Sequence, residues 1–419
     1  MSRSRAHLLA DDRPRESGGG VALAQAPSDD TGPSGGGVWS GMVMLFTAFE
    51  PSGDEHAAPV IAELKRRHPE LRIFAWGGPK MAAAGAEIVE RTGDDAVMGM
   101  PGLQKIREHQ AINKRIEKWL QSRIVAVHVP VDSPAANFPI CELTKRHGAR
   151  VVHMVAPQIW AWGRWRIHKL RRLTDMVLCL LPFEQRFFER RRVPARFIGH
   201  PVFERVLDTR KLAEQRATLP DASPRIAMFP GSRPDELRRN FPVMLETFEQ
   251  IRARYPRSAG ILVATTERTR DVLKQMAGGA WPRGMDVRVA QTDAVVSWAD
   301  IAIVKSGTVT LQVTHQRRPM VIFYKKSNPF FYALIRVILA TKKFSLPNLI
   351  AGREVVPELI PYWGGHTRLT RAVLKLLASD EEKARQASDL DAVVRQFDGL
   401  RPATMAADAI LEIAARARA

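Results

Sequence analysis

Short apolar, β-branched runs alternate along the chain with longer segments whose apolar residues recur at helical spacing. Residues 43–47, 72–76, 124–129, 151–155 and 176–180 read as strands, and residues 54–67, 137–147 and 183–191 read as helices between them. The alternation fades over residues 201–224, a charged stretch ending in Pro220-Asp-Ala-Ser-Pro224, and then restarts. Residues 225–229, 259–264, 300–304 and 320–323 are further strands, with a helix expected over 236–254 and helices through the last fifty or so residues, including 381–391 and 404–418. Strands that are apolar throughout, rather than apolar on every second residue, belong to parallel sheets covered on both faces. The expected fold class is therefore α/β, with two doubly wound, Rossmann-like domains joined near residues 210–224.

The 419-residue length fits two or three domains. A hydrophobic content of 45% beside 26% charged residues excludes a largely disordered chain. Residues 1–40 are the exception, rich in Gly, Ser, Pro and Asp without a continuous apolar stretch; they read as a disordered tail and not as a signal peptide. In that tail four arginines are outnumbered by five carboxylates, so the net charge of +19 resides in the body. A body this basic calls for an anionic partner: nucleic acid, a membrane surface or phosphorylated substrates. No nucleic-acid-binding module follows from the pattern. No apolar run reaches the ~20 residues that span a bilayer. The longest approach, residues 329–340, contains Arg336 and has Lys342 and Lys343 beside it. Cys141 and Cys179 are isolated in apolar runs, which points to buried reduced thiols and gives neither a zinc site nor a disulfide framework.

In open α/β sheets, ligands bind beyond the carboxyl ends of the strands. Four such ends carry chemistry here. The first holds Glu50, Ser52, Gly53 and Asp54, where the last three could cap a helix and Glu50 is suited to a substrate hydroxyl. The second holds Asp132 and Ser133; the carboxylate could take a proton from a bound hydroxyl or serve only as a helix cap. The third is Pro230-Gly231-Ser232-Arg233, whose backbone N–H groups and planar guanidinium match phosphate oxygens. The fourth is Lys305-Ser306-Gly307-Thr308. Two phosphate-type turns in one domain suggest a nucleotide diphosphate, while the absence of GxxxxGK[ST] argues against a P-loop NTPase. Gly77-Gly78-Pro79 is read as a tight connection. The run from Trp160 to Arg172 interleaves aromatics with cations, a pattern shared by solvated helix faces and membrane-surface segments.

The collinear segments Glu50-Pro-Ser-Gly-Asp54, Gly77-Gly-Pro-Lys-Met81, Ala96-Val-Met-Gly99, Ala156-Pro-Gln-Ile-Trp-Ala-Trp162, Leu181-Pro-Phe-Glu184, Phe197-Ile-Gly-His-Pro201, Pro230-Gly-Ser-Arg233, Ser306-Gly-Thr308 and Leu346-Pro-Asn-Leu-Ile-Ala-Gly-Arg353 together resemble the lipid-A-disaccharide synthase family of GT-B glycosyltransferases. The resemblance runs from about Val43 to about Ala378. It implies an inverting enzyme that joins UDP-2,3-diacylglucosamine to 2,3-diacylglucosamine 1-phosphate, giving a β(1→6) disaccharide 1-phosphate and UDP. It also implies a domain plan: tail 1–40, acceptor domain 41–210, UDP-sugar domain 211–395, and a final helix, 396–419, packing back on the first domain. By this resemblance Asp132 is the general base, and Glu50 accompanies it as a catalytic residue. Ser52, Gly53, Asp54 and Asn137 would contact sugar. Gly231, Ser232, Arg233, Ser306, Gly307, Thr308 and Gln312 would hold the nucleotide, and Asn348 and Arg353 would complete the substrate-binding set.

The resemblance implies no cofactor and no metal, and no Asp-x-Asp pair lies beside the nucleotide loops. Expected partners are the two lipid substrates, an anionic membrane surface at the cytoplasmic face of an inner membrane, no nucleic acid and, as one option, a second copy of the chain. The chain departs from the family pattern at Phe49, Pro130, Ala135, Lys305 and Gln312. Such departures keep two alternatives in view: a non-catalytic paralogue that binds lipid or nucleotide sugar, and a sugar-nucleotide epimerase on the same fold.

Overall fold

The computed structural model describes residues 39–92, 102–325, 341 and 343–416. The tail reading, the Ala96–Gly99 segment, the apolar stretch 329–340 with Arg336, and Lys342 all lie outside the described residues.

The first sheet has seven strands in the order β3-β2-β1-β4-β5-β6-β7. These are β1 (Val43–Thr47), β2 (Arg72–Gly77), β3 (Glu87–Arg91), β4 (Val127–Pro130), β5 (Arg150–Met154), β6 (Met176–Cys179) and β7 (Ala195–Phe197). The second has six in the order β10-β9-β8-β11-β12-β13. Its strands are β8 (Arg225–Phe229), β9 (Ala259–Ala264), β10 (Met285–Val289), β11 (Ile301–Lys305), β12 (Met320–Lys325) and β13 (Glu358–Tyr362). Every pairing is parallel, and Leu45 at the centre of the first sheet stands between Phe74 and His128. Both sheets place their first strand beside their fourth, so the strand order reverses between β1 and β4 and again between β8 and β11.

Successive residues of a strand point to opposite faces. Met44 and Phe46 therefore enter one apolar cluster while Leu45 enters another. In β8, Ile226 and Met228 pack on one side, and Ala227 and Phe229 on the other. Burial on both faces explains why these strands read as unbroken apolar runs. The fourth strand begins later than its apolar run, at Val127, because Ile124 stands outside the sheet at 87% exposure. Residues 201–224 are not a plain connector: they form the helices Pro201–Glu204 and Thr209–Ala217, and the latter packs on the Thr292–Trp298 helix. The last helix, Pro402–Arg416, inserts Ala406, Ile410 and Ile413 into the core beneath the first sheet, against the Pro51–Arg67 helix. Arg67–Asp408 and Arg196–Glu412 ion pairs flank it.

Cys141 and Cys179 are both free and buried, and desolvation pushes both thiols far above their ordinary range, as expected of inert core cysteines. Among the described residues no helix is long and apolar enough to cross a membrane.

Candidate active site

The four chemically loaded loops occupy equivalent positions. Glu50 and Asp132 follow β1 and β4; Gly231–Arg233 and Ser306–Thr308 follow β8 and β11. Each pair thus flanks the point where its sheet reverses strand order, the crevice where doubly wound folds bind ligands. One apolar cluster joins the two carboxyl edges. Trp160, Leu181 and Phe183, which follow β5 and β6, pack with Leu311, one turn past β11, and with Ile350.

At the first switch point the backbone is strained. Asp132 and Ser133 have φ of 52° and 40°, left-handed values that cost a non-glycine residue about 1–2 kcal/mol each. Neither side chain caps the Pro134–Arg146 helix, whose N-cap residue is Ser133. The surroundings enforce this conformation. The Asp132 N–H donates to the Met154 carbonyl (3.0 Å) and the Val131 N–H to that of Thr47 (2.9 Å). Asn137, fully buried, donates to the Val131 and Asp132 carbonyls at 3.1 and 2.8 Å and accepts from the Thr47 hydroxyl at 2.7 Å. Thr47 also meets His128 at 2.8 Å, and His128 meets Thr144 at 3.0 Å. Burial depresses the His128 pKa to about 3, so its ring is neutral. The Asp132 carboxylate takes no hydrogen bond from the described residues, which leaves a strained, held and unspent carboxylate at the strand end.

Several of the residues expected at the site also have partners within the fold. The Asn137 amide bonds the loop it supports. Asp54 faces inward and accepts from the N–H groups of Gly78, Lys80 and Met81 at 3.1, 3.0 and 2.9 Å, capping the neighbouring Pro79–Ala83 helix. A Cβ at Gly78 would come within 2.5 Å of the Asp54 carboxylate, so Gly77-Gly78 is a packing turn. Gly53 is buried, and a Cβ there would lie 2.9 Å from Ala48. Asn348 is also fully buried; it accepts from the Val355 and Val356 N–H groups and donates to the Glu358 carboxylate at 2.9 Å. Arg353 forms a surface pair with Asp389. These five residues build the loops and helices around the crevice. Glu50 is half-buried with no side-chain cap bond, and Ser52 is exposed. The pattern of the sequence did not single out His56, one turn into the same helix. Its pKa is lowered by burial, with Asp132 the leading charge that opposes this, and its ring meets that of buried His200 edge-on at 5.8 Å.

At the second switch point Gly231 has φ of 112°, and a Cβ there would lie 2.7 Å from Glu236. Only glycine lets the turn close on that carboxylate. Glu236, buried in the first turn of the Pro234–Arg254 helix, receives Lys305 Nζ at 2.8 Å, and Arg233 lies at 3.6 Å. Glu236 is the second residue that sequence pattern missed; it holds two cations at the mouth of a phosphate-type turn. Ser232, Arg233 and Thr308 are exposed there, with Ser306, Gly307 and Gln312 half-buried.

Removing the support beneath Asp132 should be expensive. Asn137→Leu leaves a buried hydroxyl and two carbonyls short of a partner, for an expected loss of about 3 kcal/mol. Urea unfolding followed by fluorescence reads it; a loss under about 0.5 kcal/mol would show that the network is dispensable.

Two all-parallel Rossmann-like sheets, joined along their carboxyl edges and each carrying loaded loops at its switch point, make a GT-B type fold. Solved structures share this fold at low identity. They include the calicheamicin glycosyltransferase CalG4, at TM-score 0.57 and 16% identity over 90% of this chain and 98% of that one. Another is a UDP-GlcNAc 2-epimerase from Neisseria meningitidis bound to UDP-GlcNAc, at 0.56 and 12% over 90% and 99%. The model of the family described as lipid-A-disaccharide synthetase matches residues 44–413. A lipid-A-disaccharide synthase of Anaeromyxobacter dehalogenans (strain 2CP-C) is 37% identical over 348 residues, 82% of this chain and 90% of that relative. The chain belongs to the lipid-A-disaccharide synthase family. Membership makes it a glycosyltransferase of lipid A disaccharide formation and favours neither the epimerase nor the non-catalytic alternative.

Proposed function

We propose that the enzyme transfers diacylglucosamine from its UDP carrier to the 6-hydroxyl of 2,3-diacylglucosamine 1-phosphate by a single inverting displacement. The observation that carries the assignment of the base is the Asp132 carboxylate, held in a strained turn by buried partners and left unbonded. The acceptor oxygen attacks the anomeric carbon of the donor, the bond from that carbon to the diphosphate breaks, and the hydroxyl proton passes to Asp132. A carboxylate is a weak base, so the transfer comes late, when the hydroxyl has acidified against the oxocarbenium-like carbon. Glu50 and Ser52 orient sugar hydroxyls. On the other side Gly231, Ser232 and Arg233, with Ser306, Gly307 and Thr308, receive the UDP diphosphate. The positive end of the Pro234–Arg254 helix and the Arg233 guanidinium offset the charge that develops on the leaving group. Gln312, half-buried beyond the turn at 306–308, bonds the nucleotide ribose in this reading.

We place the enzyme peripherally at the cytoplasmic face of an inner membrane, touching it with basic and aromatic surface. Trp162 and Trp165 are 47% and 64% exposed, and Arg166 stacks over Trp162 at 3.7 Å. The test is UDP release by the purified protein. Release is expected only when both lipid substrates are present. Release with the donor alone, with inversion at its 2-position, would mark an epimerase; no release with lipid still bound would mark a silent binding protein.

A further inference from the structure

A groove of about 550 Å³ opens on the apolar cluster that joins the two carboxyl edges. Its apolar floor is Trp160, Phe183 and Phe187 from the first sheet's side, met by Ile350 from the second. Its rim is Arg164, Arg186, Arg190 and Arg191, and no acidic residue lines it. None of these four arginines makes an ion pair among the described residues. Glu189, the acid beside them, is engaged by Gln185 at 2.8 Å, and Arg191 stacks over Phe187 at 3.9 Å while donating to that residue's carbonyl. The floor is rigidly built. Glu184 is buried and accepts from Trp160 Nε1 at 2.9 Å and from the Leu180 and Leu181 N–H groups at 3.1 and 3.0 Å, and Phe183 stands edge-on to Trp160 at 4.9 Å.

Four unneutralised guanidinium groups above an aromatic floor match one ligand chemistry: a phosphate monoester on an acyl-bearing molecule. The groove is lined from both lobes, where a site that only rests on a bilayer could be confined to one. It also shares an edge with the base: the Asp132 N–H is bonded to Met154, the last residue of β5, and Trp160 lies in the loop that leaves β5. We infer that this groove binds the acceptor, taking its 1-phosphate on the arginine rim and its acyl chains on the aromatic floor while the 6-hydroxyl reaches Asp132. The inference rests on the transfer reaction proposed above.

The experiment uses a short-chain acceptor soluble as a monomer, with and without its phosphate, and the variant Arg186→Gln/Arg190→Gln/Arg191→Gln. In the variant, the acceptor KM should rise at least about thirtyfold, while the donor KM and UDP affinity stay put. The wild type should discriminate strongly against the dephosphorylated acceptor, and the variant should not. Titration calorimetry of the acceptor alone reads the same loss without turnover, so it remains informative if the reaction assignment itself fails. An unchanged acceptor KM and affinity would overturn the inference. Weakened binding to anionic vesicles with an unchanged KM for the soluble acceptor would overturn it too, by assigning the groove to bilayer lipid.

Discussion

Asp132→Asn should lower kcat by about 10²–10⁴ while leaving UDP affinity unchanged. That range is what a positioned general base contributes. Asparagine keeps the size and the αL tolerance that the φ of 52° demands, so the loop should survive the change. The support for the loop is main-chain and Asn137-based and does not involve the Asp132 side chain. Loss of turnover would therefore report the missing proton acceptor rather than a collapsed turn. The phosphate-type turns proposed to hold UDP belong to the other sheet, which is why UDP titration should give the wild-type affinity. Turnover within a few-fold of wild type would remove Asp132 from the chemistry and shift attention to Glu50 or to His56, whose burial-lowered pKa keeps a neutral, proton-accepting imidazole beside the same carboxylate.

Arg233→Ala should reduce kcat/KM for the donor by about 10²–10³, the usual effect of deleting one donor to a developing anion. The side chain is 61% exposed, and among the described residues its one ionic contact is the 3.6 Å approach to Glu236. Its removal should therefore cost little stability. The turn itself would persist, because Lys305 still bonds Glu236 at 2.8 Å and Gly231 still provides the positive φ. Arg233→Lys should recover only part of the loss, since a point charge replaces a planar fork that can grip two phosphate oxygens. Steady-state kinetics with both substrates distinguishes the cases; a loss below about threefold in the alanine variant would mean that the diphosphate is held without Arg233.

The strands that could be read from the sequence are the nine interior ones. The four that escaped are β3, β7, β10 and β13, the two edges of each sheet. Edge strands face water along one side and carry residues that blur the apolar pattern: Glu87 and Glu90 in β3, Arg196 in β7, Asp286 and Arg288 in β10, Glu358 and Pro361 in β13. The site divides in a similar way. Asp132 and the Gly231–Arg233 turn were legible because a carboxylate or a small-residue turn at the end of an apolar run is a local signal. The internal bonds of Asp54, Asn137 and Asn348 were not legible, because a polar side chain reads the same whether it turns to a ligand or to a buried backbone. Glu236 went unnoticed for the converse reason, as one acid in the charged first turn of a long helix.

The sequence by itself determined the two-sheet α/β class, the parallel arrangement and the order of the loaded loops, since these follow from local periodicity and from residues close together in the chain. Only the tertiary structure decided which loops share a switch point, which polar groups are spent on holding them, and that aromatic and basic residues of the first lobe line one groove with Ile350 of the second. Those are questions of which distant backbone groups a side chain meets. Burial settles them, by forcing every polar atom taken from water to find its partner within the fold.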